Sequence, residues 1–295
     1  NVIRIDFSKM PRNCESYRQY IERVEELLIS DLRKAYPDAK TSETDAIGDI
    51  LEEIFQQYHG EKFIFVLDEW DFIFHREFIT EADKAKYVAF LSNLLKDRPY
   101  VILSYMTGIL PIAKYSSGSE LNMFLEYTMA GEEKFSDAFG FTETEVDMLY
   151  ARFLKNTGKP LLSRSGLKEW YDGYRFGNEE VYCPWDVINY CNSHITNPDL
   201  EPKNYWLNTS GNDVIKHFID IADGQNKAAK SELERLVNGE IIQKEIYEEL
   251  TYSEMYDSIE NLWSALFMTR YLTQRGRADG NRYNLVIPNR EVRNI

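Results

Sequence analysis

Short apolar runs and helical periodicities alternate along the first third of the chain. One uninterrupted apolar run, Phe63–Leu67, is typical of a strand buried on both faces of a parallel sheet. Two further apolar-rich runs, Val2–Phe7 and Tyr100–Met106, also predict strands. Between these runs, apolar residues recur every three or four positions, which predicts helices over about 17–32 and 47–58 and over Glu81–Lys96. Ser42 or Thr44 is expected to cap the second helix. Strand, helices, strand, helix, strand is the order of an α/β fold with crossover helices.

The remaining two thirds predict shorter elements. Thr142 and Glu145 form a capping box that opens a helix, and further short helices are expected at Leu161–Tyr171, Trp185–Cys191, Asp213–Ile221 and Lys227–Val237. A longer helix over Tyr256–Tyr271 runs into a hairpin of Tyr271–Gln274 and Arg282–Ile287, with Asp279-Gly280 in its turn. A helix followed by a two-stranded ribbon resembles a winged-helix ending. Three domains are therefore predicted, over residues 1–130, 131–254 and 255–295.

Composition and charge narrow the function classes. With 43% hydrophobic and 28% charged residues among 295, the chain is an ordinary globular protein. Its net charge of −15 argues against a generally basic nucleic-acid surface. A local basic cluster leaves both a solvated edge and a DNA site open, and consists of Arg270, Arg275, Arg277, Arg282, Arg290 and Arg293. Three cysteines without metal spacing fit a reducing cytoplasm, and no apolar run approaches the roughly 18 residues of a membrane span, so no membrane partner is expected.

The candidate chemistry lies at the ends of two predicted strands. Asp68 and Glu69 follow the apolar run from Phe63, at the edge where open α/β sheets bind ligands. In P-loop NTPases the first such acid holds Mg²⁺ and the second orients or deprotonates the attacking water. Thr107 ends the next strand, where a polar side chain senses the γ-phosphate or the water. Two acids also occur at the ends of ordinary strands, and the Thr107 hydroxyl is equally suited to capping its strand.

Two further residues and two missing motifs bear on the interpretation of Asp68 and Glu69 as part of an ATP site. Asp71 and Lys114 are weaker candidates for metal or phosphate contacts, and a surface charge is the simpler interpretation of each. Neither G-x-x-x-x-G-K-[ST] nor G-x-G-x-x-G occurs, so the sequence supplies no phosphate cradle, and an acid pair alone binds Mg–ATP poorly. Asp6 together with Asp68 and Glu69 would alternatively form a Mg²⁺ nuclease cluster.

Several separate segments resemble one family in its order. The chain resembles the bacterial AAA-ATPase-like proteins, a STAND-like branch of P-loop proteins often fused to a PD-(D/E)XK-type nuclease domain. The matching segments are Val2–Ser8, Val66–Asp71, Tyr105–Tyr115, Leu121–Phe124, Gly140–Val146, Trp170–Phe176, Asn204–Trp206 and Ile287–Val292. Together they cover almost the whole chain.

The resemblance implies an incomplete P-loop NTPase core over 1–130, a mostly helical lid over 131–254 and the winged-helix-like end. It makes Asp68 the Mg²⁺ ligand, Glu69 the water-activating acid and Thr107 the sensor. Asp71 and Lys114 stay the weaker candidates for contacts to the cofactor. ATP and Mg²⁺ are expected for the full-length protein, which would bind and hydrolyse ATP or switch with nucleotide state. The alternative is a non-catalytic module that binds protein or nucleic acid.

The same resemblance places the phosphate loop on a strand before Asn1 and a nuclease domain after Ile295. A sheet without the loop-bearing strand has a gap. Its remaining strands are expected to pair with the edge of another chain, as in a homo-oligomer, or to stay partly uncovered. Within the Trp170–Phe176 segment, Trp170, Tyr171 and Tyr174 are expected to pack, and Asp172 or Arg175 to reach a partner.

Overall fold

The computed structural model divides the chain into two compact units, Asn1–Glu126 and Tyr127–Ile295. The residues it describes are 1–11, 13–109, 121–130, 134–158, 162–197, 199–206, 215–216, 218–220, 227–250, 254–255 and 257–295. Each unit has its own buried core, so each is described by itself.

The first unit is built on a three-stranded parallel sheet. Its strands lie in the order β1, β2, β3 and span Val2–Asp6, Phe63–Asp68 and Val101–Met106. Two helices connect β1 to β2 and one connects β2 to β3: α1 is Tyr17–Ala35, α2 is Ile47–Gln57 and α3 is Glu81–Leu95. The predicted α/β order is confirmed. Parallel strands joined by crossovers bring all three carboxyl ends to one edge of the sheet.

Local hydrogen bonds explain where two of these helices begin. The Ser16 side chain accepts from a backbone N–H at the start of α1, and Thr80 forms a full capping box with Asp83 at the start of α3. The predicted side-chain cap of α2 is not formed. That helix begins after Ala46, because the hydroxyl and N–H of Ser42 are bonded to the Asp45 carboxylate at 2.6 and 2.7 Å.

The sheet is covered unevenly. Phe63, Phe65 and Leu67 alternate along β2 and are at most 2% exposed, whereas the intervening residues are half-buried, so only one face of β2 is fully covered. On β3, Ile102, Leu103 and Tyr105 are all more than half exposed. Among the described residues β3 pairs only with β2. Among the described residues of this single chain, the sheet is therefore partly uncovered at β3.

The second unit begins with three helices and a short hairpin. Thr142 and Glu145 form the predicted capping box. The elements are α4 (Glu143–Thr157), α5 (Arg164–Tyr171), β4 (Tyr174–Phe176), β5 (Glu179–Val181) and α6 (Pro184–Thr196). A core of aromatic and aliphatic side chains, including Phe153, Tyr171 and Tyr190, joins α4, α5 and α6. The hairpin was not predicted, since three-residue strands are too short to show a period.

A second sheet follows in the same unit. Its elements are α7 (Lys227–Val237), β6 (Ile242–Glu245), α8 (Ile259–Met268), β7 (Thr273–Asp279), β8 (Arg282–Val286) and α9 (Arg290–Arg293). The strands are antiparallel in the order β6, β8, β7. A hairpin of β7 and β8 forms as predicted, but its first strand extends to Asp279, which pairs with Arg282, so Gly280-Asn281 and not Asp279-Gly280 lies between the strands. Strand β6 was missed because only one of its four residues is buried. This sheet spans the domain boundary predicted at 254/255.

None of the helices in the described part of the chain is long and apolar enough to cross a lipid bilayer.

Candidate functional site

The carboxyl edge of the parallel sheet brings the predicted acids together. Asp6 at the end of β1 is the register partner of Asp68 at the end of β2. The next residue along β1 continues this pairing, since the Phe7 N–H donates to the Asp68 carbonyl at 3.0 Å. Two carboxylates from neighbouring strands therefore face the same edge.

Thr107 joins this group by a direct contact with Asp68. Its hydroxyl donates to Asp68 Oδ1 at 2.6 Å, a short charge-assisted hydrogen bond between residues 39 positions apart. The backbone of Thr107 extends the pairing between the strands, because its N–H donates to the Leu67 carbonyl at 2.9 Å and its carbonyl accepts from the Trp70 N–H at 3.0 Å. Thr107 thus both closes β3 and orients the carboxylate of Asp68.

Glu69 occupies an unfavourable backbone conformation beside Asp68. Its φ of +51° lies in the left-handed region that residues other than glycine seldom adopt. Partial burial raises the pKa of the Glu69 carboxyl, and the nearby carboxylates of Asp68, Asp6 and Asp71 raise it further, while Arg76 acts in the opposite direction. A partly accessible acid with a raised pKa, held in a strained conformation at a sheet edge, has the attributes of a functional group.

Asp71 does not lie at the surface as a free charge. It is only 2% exposed, and its Oδ2 accepts from the Ile109 N–H at 2.7 Å. A Cβ on Gly108, the residue before Ile109, would lie 2.4 Å from Nε1 of Trp70. The loop after β3 can therefore come this close to the loop after β2 only because residue 108 is glycine. The surface position expected for Asp71 is therefore wrong, because the carboxylate ties the loop after β3 to the loop after β2. Lys114 lies outside the described residues.

The Asp6 carboxylate is held by its own loop. The N–H and hydroxyl of Ser8 donate to Asp6 Oδ1 at 3.1 and 2.6 Å, and Lys9 lies 3.3 Å from Oδ2. The Ser8 hydroxyl is the main reason that the pKa of Asp6 lies below its usual value. Asp6 is therefore a fixed negative charge next to Asp68 and Glu69.

Arg76 was not singled out from the sequence. Its guanidinium carbon lies 3.9 Å from the centre of the Phe72 ring, and its Nε is shielded from water and has no hydrogen-bond partner among the described residues. The positive charge of Arg76 lowers the pKa of Glu69, against the effect of the neighbouring carboxylates. No sequence motif marks it, since the interval from Glu69 matches no pattern that we recognise.

The acids at this edge fit a Mg²⁺ ion that one carboxylate holds and that takes its other ligands from water and substrate. Among the described residues, no three His, Cys, Asp or Glu side chains converge in a way that could hold a metal ion. Mg²⁺ commonly takes one or two protein carboxylates and completes its shell with water and substrate phosphates. Asp68, whose side chain is 43% exposed, is suited to that role. Because no three such side chains converge, the described residues do not support the alternative nuclease cluster of Asp6, Asp68 and Glu69.

The Trp170–Phe176 segment is built into the second unit. Tyr171 and Tyr174 are buried, and Asp172 is 4% exposed with Lys168 at 3.4 Å, which leaves its carboxylate little surface for a partner. A Cβ on Gly173 would lie 2.2 Å from the carbonyl oxygen of Pro288. The segment therefore joins α5 to the residues preceding α9.

Comparison with known proteins gives one distant relative. A protein of Azotobacter chroococcum mcd 1, described as an uncharacterized protein in the vnfD 5' region, is 27% identical to this chain over 254 residues. The match covers 82% of this chain and 44% of the relative, so the chain spans less than half the length of that protein. No protein-family model and no solved structure matches the chain. The relative's description names no activity.

Proposed function

We propose that this chain carries the Mg²⁺-binding half of an ATP site and belongs to an AAA-ATPase-like P-loop protein. The hydrogen bond between Thr107 and Asp68 is the observation that carries the proposal. It joins the polar ends of two adjacent parallel strands at the ligand-binding edge, as expected when the first strand bears the metal acid and the second the sensor.

Each side chain has a definite task in this proposal. Asp68 binds Mg²⁺, and Thr107 fixes the direction of its carboxylate. Glu69 accepts a proton from the attacking water or orients it, for which a raised pKa is favourable because it brings the carboxyl closer to neutral pH. Arg76 supplies positive charge near the acids, where phosphate oxygens would otherwise meet three carboxylates. Bound Mg²⁺ would neutralise the charge that develops on the phosphates.

The uncovered edge of β3 supports the same proposal. Ile102, Leu103 and Tyr105 are 62%, 54% and 55% exposed, although they belong to an apolar strand of a parallel sheet. A strand that carries the phosphate loop would pair with this edge and bring backbone N–H groups next to Thr107. A second copy of the chain is the alternative occupant, which would give a homo-oligomer.

The test compares the chain with the product of its whole reading frame, in which the proposal expects a phosphate loop before β1. Mg–ATP is expected to raise the thermal midpoint of the longer protein. Asp68→Asn should abolish that shift, and Glu69→Gln should retain binding but suppress phosphate release. Asp31→Asn on α1, where the side chain is 76% exposed, is the matched control and should change neither. A longer protein whose thermal midpoint does not respond to Mg–ATP would refute the proposal.

The alternative function is a binding module formed by the second sheet. The order α7, β6, α8, β7, β8, with strand order β6-β8-β7, resembles a winged helix, which favours an interaction role. Residues Leu262–Phe267 of α8 are all buried, however, so this helix presents little surface to a nucleic-acid groove.

The basic cluster is also partly engaged within the protein. Arg275 donates to the Gly173 carbonyl at 3.1 Å, and the Arg277 guanidinium lies 5.0 Å from the Tyr283 ring centre. We therefore expect no shift of duplex DNA at low salt. A salt-dependent shift that disappears on charge reversal at Arg275 and Arg277 would favour the alternative.

A further inference from the structure

Two carboxyl groups meet in the interior of the second unit. Asp186 in the first turn of α6 is 0% exposed, and Glu291 in α9 is 1% exposed. The two side chains lie within hydrogen-bonding reach of each other. A pair of ionised carboxylates at this depth would repel strongly and lack water to screen them.

The donors around the pair are distributed unequally. Glu291 Oε1 accepts from the Trp206 N–H at 2.8 Å, and the Tyr205 backbone contributes a second hydrogen bond. Neither oxygen of Asp186 has an N–H or O–H partner among the described residues, apart from the thiol of Cys183 close by. A proton on Glu291 would satisfy Asp186, because it turns two acceptors into a donor and an acceptor.

The surroundings favour this location of the proton. Burial, followed by the charge of Asp186, raises the pKa of Glu291 to about 8. Burial also raises the pKa of Asp186, against the effects of Cys183, Glu291 and Arg270. The N-terminus of α6 favours negative charge on Asp186 over Glu291. Among the described residues, the other titratable groups that face the pair are hydroxyls with no charge at neutral pH, those of Tyr171, Tyr174 and Tyr205.

The pair connects three separate parts of the chain. Asp186 belongs to α6, Glu291 to α9, and the N–H donors to residues 205–206. The α9 end is also held on α5, since the Arg290 guanidinium lies 4.9 Å from the Trp170 ring centre and 3.5 Å from the Glu169 carboxylate. Both of those contacts are at the surface, whereas Glu291 and the core side chain of Val292 are the buried residues of α9.

We propose that a proton shared between Asp186 and Glu291 clamps α9 and residues 205–206 onto α6, and that loss of this proton at alkaline pH releases them. Without the proton, two negatively charged carboxylates repel each other in a buried site that accommodates one negative charge. The clamp is independent of the ATP site proposed for the first unit, and its test needs no nucleotide.

The direction of the pH dependence follows from proton linkage. Between the ordinary carboxyl pKa of about 4.5 and the folded value of about 8, the folded pair holds one proton that the unfolded chain does not. Stability of the clamp therefore falls as pH rises through this window and levels off above it. One proton corresponds to about a tenfold change in the opening equilibrium per pH unit.

Hydrogen exchange measured by mass spectrometry between pH 5.5 and 9 tests the clamp, after correction for the intrinsic rates. In the wild type, the opening equilibrium of peptides covering residues 205–206 and 290–293 should rise about tenfold per pH unit up to about pH 8. Glu291→Gln keeps the shape and provides a permanent donor, so this slope should disappear. Glu179→Gln on β5, an exposed acid, is the control and should retain it. Equal slopes in the wild type and Glu291→Gln would overturn the proposal.

A second measurement covers the case in which Glu291→Gln fails to fold. Infrared spectroscopy at pH 7 should detect the carbonyl band of a protonated carboxylic acid in the wild type, and Asp186→Asn should shift or remove it. Absence of that band from the folded wild type at pH 7 would refute a shared proton.

Discussion

Replacing Glu69 by glycine should make the carboxyl edge of the parallel sheet more stable, although it removes the acid that we assign to catalysis. At a φ of +51°, an L-residue is less stable by roughly 1–2 kcal/mol than in its preferred regions. Glycine avoids this penalty but loses roughly 0.4–1 kcal/mol through the greater freedom of its unfolded chain. The backbone contribution of the substitution is therefore a net gain of about 1 kcal/mol.

The effect of the Glu69 charge on stability must be separated from the effect of its backbone conformation. Because the pKa of Glu69 is raised in the folded protein, its ionisation costs stability as pH rises through that pKa, and any neutral residue removes this cost. Glu69→Ala removes the carboxylate but keeps a Cβ at the same φ. The difference between the glycine and alanine variants therefore isolates the net backbone contribution, expected at about 1 kcal/mol or roughly fivefold in an opening equilibrium.

Hydrogen exchange of peptides covering β2, measured at pH 7, reports local opening of the first unit without interference from the second. Asp97, which has a φ of +54° in the turn after α3, provides the matched control. Asp97→Gly and Asp97→Ala should differ by a similar amount. If the glycine and alanine variants differ at position 97 but not at position 69, the backbone penalty assigned to Glu69 is refuted.

Three further predictions concern single contacts. Gly173→Ala should destabilise the second unit by more than about 2 kcal/mol, since its Cβ would lie 2.2 Å from a carbonyl oxygen at a φ of +100°, and a fall in thermal midpoint measures this. Thr107→Val should cost about 1 kcal/mol through loss of the bond to Asp68, and Thr107→Ser should restore it, as judged by exchange of β3 amides. Ser8→Ala should raise the pKa of Asp6, measured by carbon-13 titration. The stability due to Asp6, present above the unfolded pKa and lost as pH falls through the lower folded value, should shrink accordingly.

Local chemistry made the framework of this protein predictable. Three apolar runs became the three parallel strands, and helical periodicity placed α1, α2 and α3 between them. The capping box at Thr142 opens a helix as predicted. These signals depend on residues within one or two turns of each other, so they survive whatever the rest of the chain does. The same locality placed Asp68, Glu69 and Thr107 at strand ends.

Tertiary structure decided what those residues touch. The bond between Thr107 and Asp68 depends on strand register across 39 residues, and burial of Asp71 depends on the loop after β3 crossing the loop after β2. Strand β6 was missed because its polar sequence becomes a strand only by pairing with β8. Glu291 lies 85 residues from its Trp206 donor, and it meets Asp186 only through the tertiary packing of the second unit. Burial, register and charge pairing arise between elements distant along the chain, and no local pattern encodes which of them will meet.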